Sequence, residues 1–266
     1  MLWRTRGLSR LLPSPSRRVA PVQLFTYAER PDLAARTGEI EDSFPEFVGY
    51  GDVLLRHWGK LRIELPELQL VLWDDERDAV VGHARTLPAR EAEGLPGGID
   101  DMLERWFDGP RAEPDVLSAM VAVVDRRRQG EGLSTLLLEG MRGLAATSGF
   151  GSLIAPVRPT WKERYPLIPL ERYAHWTRDD GLPFDPWLRV HARLGAELLV
   201  VCPASMRVEA ARDAWESWTE MSFPEDGEYV VPGGLVPVRF VGGRGTYVEP
   251  NVWMRHRVPA AAEQSY

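Results

Sequence analysis

Thiols are nearly absent. The chain has 266 residues and a single cysteine, Cys202. One thiol can form neither an internal disulfide nor a cysteine-based zinc centre, so a reducing cytoplasm is the simplest home. Lysine is almost as scarce: of 32 basic residues only Lys60 and Lys162 are lysines. The arginines are spread through all segments, which points to GC-rich coding and a bacterial source rather than to one basic patch. A surplus of positive charge is also missing. With 39 acidic residues the formal charge is −7, which argues against coating nucleic acid, where phosphate neutralisation needs excess Lys and Arg. No apolar run approaches the ~18 residues that span a bilayer. There is no G-x-S-x-G elbow, no H-E-x-x-H and no carboxylate-rich metal loop.

What is present is ordinary globular material, 44% hydrophobic and 27% charged. At roughly 150 residues per domain, one large domain or two small ones is expected, and no linker or repeat divides the chain. Residues 1–20 are Arg-rich and acid-free and end in a Ser/Pro stretch; they read as a disordered basic tail, although a transit peptide has similar composition. Residues 21–258 read as a single domain and 259–266 as a second disordered tail. Val22–Tyr27 is expected as a strand and Pro31 to about Lys60 as helical. Leu68–Trp73 and Ala79–Leu87 form a hairpin around a charged turn, and Ile99–Phe107 is a short amphipathic helix. Val116–Asp125 is a continuous apolar strand. Over Glu131–Thr147 the apolar residues Leu133, Leu136, Leu137, Met141 and Leu144 make one helical stripe, and Gly149–Val157 is the next strand. Later, Pro186–Gly195 and Ala210–Trp218 are helical; Glu197–Cys202, residues 228–241 and residues 245–254 are strands.

The most informative stretch is VAVVDRRRQGEGL, Val121–Leu133. Two glycines at a helix start each cost ~1 kcal/mol relative to alanine. They belong there if the backbone takes φ > 0 or approaches a ligand closely. Unpaired N–H groups and the positive end of the helix dipole then make a cradle for a pyrophosphate. A tight strand-to-helix turn with solvated arginines is the competing reading.

Arg127-x-x-Gly130-x-Gly132 after an apolar strand resembles the acyl-CoA-binding motif of the GCN5-related N-acetyltransferase (GNAT) superfamily, and the order of elements over about residues 22–256 is similar to that fold. The resemblance implies an α/β architecture, a mixed twisted sheet flanked by helices, with an enlarged C-terminal lobe. It implies acetyl-CoA or another acyl-CoA as co-substrate, bound by Val121, Val123, Arg127, Arg128, Gln129, Gly130, Glu131, Gly132 and Leu133. The backbone of Val121–Val123 would pair with the pantetheine arm, in a splay between that strand and Gly151–Val157. The implied reaction is direct acetyl transfer to a small-molecule amine, with neither nucleic acid nor membrane as partner. A homodimer is compatible with it. Residues 158–254 are longer than in typical members and look like those of an actinobacterial GNAT-like subgroup. That leaves open an acyl-CoA decarboxylase, an S-acyltransferase acting on a carrier protein, or a non-catalytic CoA-binding module.

Acyl transfer needs a proton acceptor, an oxyanion donor and a proton for the leaving thiolate. His191 is the first candidate because imidazole titrates near neutrality; His175 and His256 follow it. The resemblance implies that Tyr165 or Tyr173 protonates the thiolate. Thr160, just past the strand, can donate to a thioester carbonyl. Arg158, Arg189 and Arg207 are candidate anchors for an acidic substrate group. Each of these has a plainer reading as a packing, capping or paired residue, and Cys202 reads as a buried apolar group.

Overall fold

The computed structural model describes residues 22–258 except Glu93 and Arg111. The expectations for residues 1–20 and 259–266 lie outside the described residues. β2 (Gln69–Asp74) is buried at all six positions, as its apolar run requires. It pairs antiparallel with β1 (Val22–Thr26) and with β3 (Ala79–Ala89), so the expected hairpin forms. β3 in turn pairs antiparallel with β4 (Val116–Val124). β5 (Ser152–Val157) lies parallel to β4, and β9 (Arg244–Arg257) antiparallel to β5. β6 (Glu197–Ala211), β7 (Gly227–Tyr229) and β8 (Val238–Val241) complete a nine-stranded mixed sheet in the order β1-β2-β3-β4-β5-β9-β8-β7, with β6 also paired to β9.

α4 (Leu133–Thr147) crosses from β4 to β5 and buries the expected stripe, including Leu133, Leu137, Met141 and Leu144. Gly140 lies on that stripe for a steric reason. A Cβ there would stand 2.4 Å from Leu24 Cδ2, so only glycine lets α4 approach β1 this closely. α3 (Ile99–Phe107) forms over the expected residues. Its N-terminus docks on β6: Cys202 Sγ donates to the Gly97 carbonyl, and the Ile99 and Arg207 amides donate to Ser205 Oγ and Asp100 Oδ2. Cys202 is therefore a buried packing group, and burial pushes its thiol up.

Three sequence expectations need correction. Pro31–Lys60 is not one helix. It is α1 (Pro31–Ala35), two short 3-10 turns, and α2 (Asp52–Glu64), because Pro45 and Gly51 take extended ψ angles near 143° and 134°. The strand expected to end at Cys202 runs on to Ala211, with an irregularity between Cys202 and Met206 that absorbs Pro203. Residues 230–237 are a loop between β7 and β8, where Pro232, Gly233 and Pro237 interrupt any ladder. The C-terminal part has a core of its own around Phe47, Trp215, Phe240 and Tyr247. No helix among the described residues is long and apolar enough to cross a membrane.

Candidate active site

β4 and β5 are paired at only two positions, Leu117 with Leu153 and Ser118 with Ile154. Beyond them β4 runs six more residues along β3 while β5 follows β9. The sheet forks. β4 also carries one extra residue at the fork, Met120, between the pairs Ala119–Thr86 and Val121–Arg85. A bulge bends its strand and increases the twist, which helps turn β4 from β5. The backbone edge of β4 that faces the fork at Val121–Val124 thus has no strand partner among the described residues.

At the end of β4 the chain makes a 3-10 turn, Arg126–Arg128, then reaches α4 through Gly130 and Gly132, both left-handed at φ 84° and 83°. Gly132 is the N-cap of α4 and offers no side chain to it. No acceptor among the described residues takes the N–H groups of Gly130, Glu131, Gly132, Leu133 or Ser134. Apart from the chain neighbours, no atom of a described residue lies within 4 Å of where a Cβ would sit on either glycine. The glycines are therefore required by backbone conformation rather than by neighbouring protein atoms, and five donors converge at the positive end of a 15-residue helix.

The arginines of the motif have other work. Arg127 bonds back to Asp125. Arg128 is buried and fully engaged: Nε and Nη2 reach Glu131 and Nη1 reaches Asp74, all at 2.7 Å. Burial alone would raise the Asp74 carboxyl, but Arg128 and Arg77 outweigh it and hold it below its usual range. The side chains of Arg128 and Glu131 thus clasp the glycine loop to the end of β2 and shape it, which leaves their backbone for the cofactor contact expected of these positions.

Past β5, one residue that sequence reasoning missed organises the site. Asp185 is 1% exposed. Its carboxylate accepts from the amides of Thr160, Trp161, Trp187 and Leu188 and from the Tyr173 hydroxyl, at 2.7–3.2 Å. It caps α6 (Pro186–Arg193) and ties that helix to the segment leaving β5. Asp followed by Pro at the first helical position is a recognisable N-cap signature. Tyr173 is corrected by the same contact. Its hydroxyl is buried, donates to Asp185, and is pushed far up by burial and the adjacent carboxylate, so it does not supply a proton to a thiolate. Tyr165 is half-buried beside Trp176 and Phe184, and its hydroxyl has no partner among the described residues. Thr160 is exposed, with its amide fixed and its hydroxyl free.

His191, on α6, is 2% exposed, and its Nδ1 lies 2.9 Å from Nε2 of the buried His256 on β9. The outer nitrogens, His191 Nε2 and His256 Nδ1, are buried without partners. His256 stands opposite Leu153, whose rung with Leu117 is one of the two that close the fork. Burial, reinforced by His256, holds His191 neutral well below the usual imidazole range, and burial brings His256 down to about 4. The expectation of an imidazole titrating near neutrality is therefore wrong for His191.

The paired imidazoles have a stability consequence. Their folded pKa values lie below the unfolded value of ~6.5, as does that of His83, brought to about 3 by burial. The unfolded chain binds more protons as pH falls below ~6.5, so stability present at neutral pH is lost on acidification. Asp100, raised to about 6 by burial, opposes this in part. His256 alone contributes a loss of ~2 kcal/mol between pH 7 and pH 5. Denaturant midpoints should fall over that interval in the parent, and less steeply in His256→Gln.

The other candidates are accounted for. Arg158 pairs with buried Glu249 and donates to Gly233 O, and Tyr247 donates to the same carboxylate. Lys162 is fully buried, donates to the Tyr165 and Leu235 carbonyls, and is brought down to about 8 by burial. Together these groups fasten the 230–237 loop beside the end of β5. Arg189 donates to two carbonyls and Arg207 pairs with Glu209. His175 is exposed. No cluster of His, Cys, Asp or Glu able to hold a metal occurs among the described residues.

No family model matches the chain. A curated protein, the arginine N-acetyltransferase avaD of Aspergillus versicolor, is 30% identical over 272 residues, covering 88% of this chain and 93% of its own. Among solved structures, the loading GNATL domain of CurA from Lyngbya majuscula superposes with a TM-score of 0.57 at 17% identity, over 89% of this chain and 98% of that one. The GphF GNAT-like decarboxylase in complex with isobutyryl-CoA gives 0.53 at 17%, over 90% and 99%. The two structures share the fold, the extended C-terminal part included. Forked strands, an uncapped glycine helix start and a relative similar along nearly its whole length agree: the chain belongs to the GCN5-related N-acetyltransferase superfamily of acyl-CoA-dependent acyltransferases.

Proposed function

We propose that the protein transfers an acetyl group from acetyl-CoA directly to the amine of a small amino-acid-like acceptor, with arginine the first to test. The observation that carries this reading is the fork. Its unpaired β4 edge at Val121 and Val123 can pair with the amides of a pantetheine arm, while the amides of Gly130–Ser134 hold the pyrophosphate. Gln129 and Arg127 are exposed at the loop and complete the cofactor contacts, Arg127 with the part of its guanidinium that Asp125 leaves free. The arginine suggestion comes from the 30% relative. A cytoplasmic setting agrees with the lone reduced thiol.

In transfer, the amine nitrogen bonds to the thioester carbon and the C–S bond breaks, its electron pair leaving on sulfur. One proton moves from the amine, by way of the enzyme, to the thiolate. His191 Nε2 is our candidate to accept it, with Thr160 Oγ1 as donor to the thioester oxygen and Tyr165 as donor to the sulfur. The test is turnover of acetyl-CoA with arginine, other amino acids and arylalkylamines, read by free thiol release and by the mass of the acceptor. Acceptor-dependent thiol release with an acetylated amine is expected. Carbon dioxide from malonyl-CoA without an amine product would replace this reading by decarboxylation. Absence of any turnover, with CoA binding retained, would leave a binding module.

A further inference from the structure

A single buried imidazole is a poor proton acceptor, because burial penalises the cation that protonation creates. A second ring within hydrogen-bond distance does not lift that penalty, but the bridge fixes which nitrogen carries a proton, because it needs one N–H and one lone pair. His191 and His256 are so arranged: 2.9 Å between Nδ1 and Nε2, residues 2% and 0% exposed, on α6 and β9 respectively. Trp187 packs edge-on against the His191 ring at 4.5 Å and limits its rotation. A neutral pair holds one proton in the bridge. If His191 Nδ1 carries it, His191 Nε2 has a lone pair and His256 carries its own proton on Nδ1. If His256 Nε2 carries it, His191 Nε2 is a donor instead. The two outer nitrogens therefore cannot both be bases, and both lack partners among the described residues. Unsatisfied buried polar atoms are uncommon and call for a cause; a reaction that delivers a proton to one of them supplies it.

We infer that His256, whose strand position is one rung from the closed end of the fork, is a positioning residue for His191: it accepts from His191 Nδ1–H, fixes that tautomer, and leaves the Nε2 lone pair to take the acceptor's proton. The inference rests on the proposed transfer and on His191 as its proton acceptor. When the amine loses its proton to His191 Nε2, His256 Nε2 goes on accepting from Nδ1–H of the resulting imidazolium. His191 Nε2 then returns a proton to the Tyr165 hydroxyl as that hydroxyl protonates the CoA sulfur, and the pair returns to neutral. The charges that face the pair are Arg142 of α4, which bears on His256, and each ring on the other. No carboxylate is bonded to either imidazole among the described residues.

The experiment compares three variants of the full chain, with kinetics normalised to folded protein. His191→Ala is expected to lower kcat ~100-fold or more. His256→Leu should lower kcat ~10–100-fold with little change in the KM for acetyl-CoA, by the general logic of a base oriented by a third group. His256→Gln, whose side-chain oxygen can accept from Nδ1–H, should restore kcat to within a few-fold. Nitrogen-15 NMR of the histidine rings should show Nδ1–H for His191 in the parent and in His256→Gln, and a tautomer mixture in His256→Leu. If His191→Ala keeps full turnover, the underlying mechanism fails. If His191→Ala is inactive while His256→Leu is fully active, the mechanism stands and His256 has no positioning role. Equal losses in His256→Leu and His256→Gln, with the His191 tautomer unchanged, would also overturn the inference.

Discussion

Asp185→Ala should lower the melting temperature by ~10 °C, the largest stability effect expected from a single substitution in this region. The carboxylate is 1% exposed and serves five donors. Each donor left buried without an acceptor costs ~1–3 kcal/mol, and relaxation or water entry recovers part of the total. A net loss of ~4 kcal/mol is expected, and at ~2–4 °C per kcal/mol for a domain of this size that is ~10 °C. The loss is local in origin: α6 loses its cap, the segment Thr160–Trp161 loses its anchor, and Tyr173 is left with a buried hydroxyl. Asp185→Asn should fall between parent and alanine, because one oxygen can still accept from Trp187 and Leu188. A scanning calorimetry shift below ~3 °C for Asp185→Ala would show that the contacts are not maintained in solution.

Gly130→Glu should remain folded yet lose CoA binding. A Cβ at this position meets no atom of a described residue within 4 Å beyond its chain neighbours. Its intrinsic cost is the left-handed backbone at φ 84°, ~1–2 kcal/mol for a residue with a Cβ. Against a bound pyrophosphate the same side chain places negative charge on negative charge, worth several kcal/mol. Affinity should fall ~100-fold or more. The parent should gain ~2.7 kcal/mol of stability at acetyl-CoA concentrations near 100 times Kd, and the variant at that concentration almost nothing. Gly130→Ala gives the intermediate case, strain and a Cβ without the charge. Unchanged calorimetric affinity in folded Gly130→Glu would remove the pyrophosphate from this loop.

Much of the site's frame follows from local sequence. An apolar run of nine residues, a charged turn and a striped helix specify β4, the glycine loop and α4. Each feature acts within a few residues: steric freedom at φ > 0, an apolar face of period 3.6, and a helix start without a capping side chain. The hairpin β2–β3 and the short α3 are legible for the same reason. The long helix expected over Pro31–Lys60 fails at Pro45 and Gly51, where two residues outweigh a loose apolar pattern. The PASM segment joins β6 because β9 offers it a ladder, which no local signal announces.

By itself, then, the sequence determined the strand, the positive-φ glycines and the helix that make the cofactor cradle, and through them the superfamily. Tertiary structure alone decided which polar side chains are free to act. Arg128 looks like a phosphate ligand in a run of three arginines, but Asp74, 54 positions away, takes its guanidinium. Tyr173 looks like a proton donor until Asp185 claims its hydroxyl. His191 looks like an imidazole titrating near neutrality until β9 brings His256 to 2.9 Å and the core excludes water from both. A backbone conformation is set by neighbours in sequence. The protonation state and availability of a side chain are set by burial and by partners in space, which become definite only when distant segments pack together.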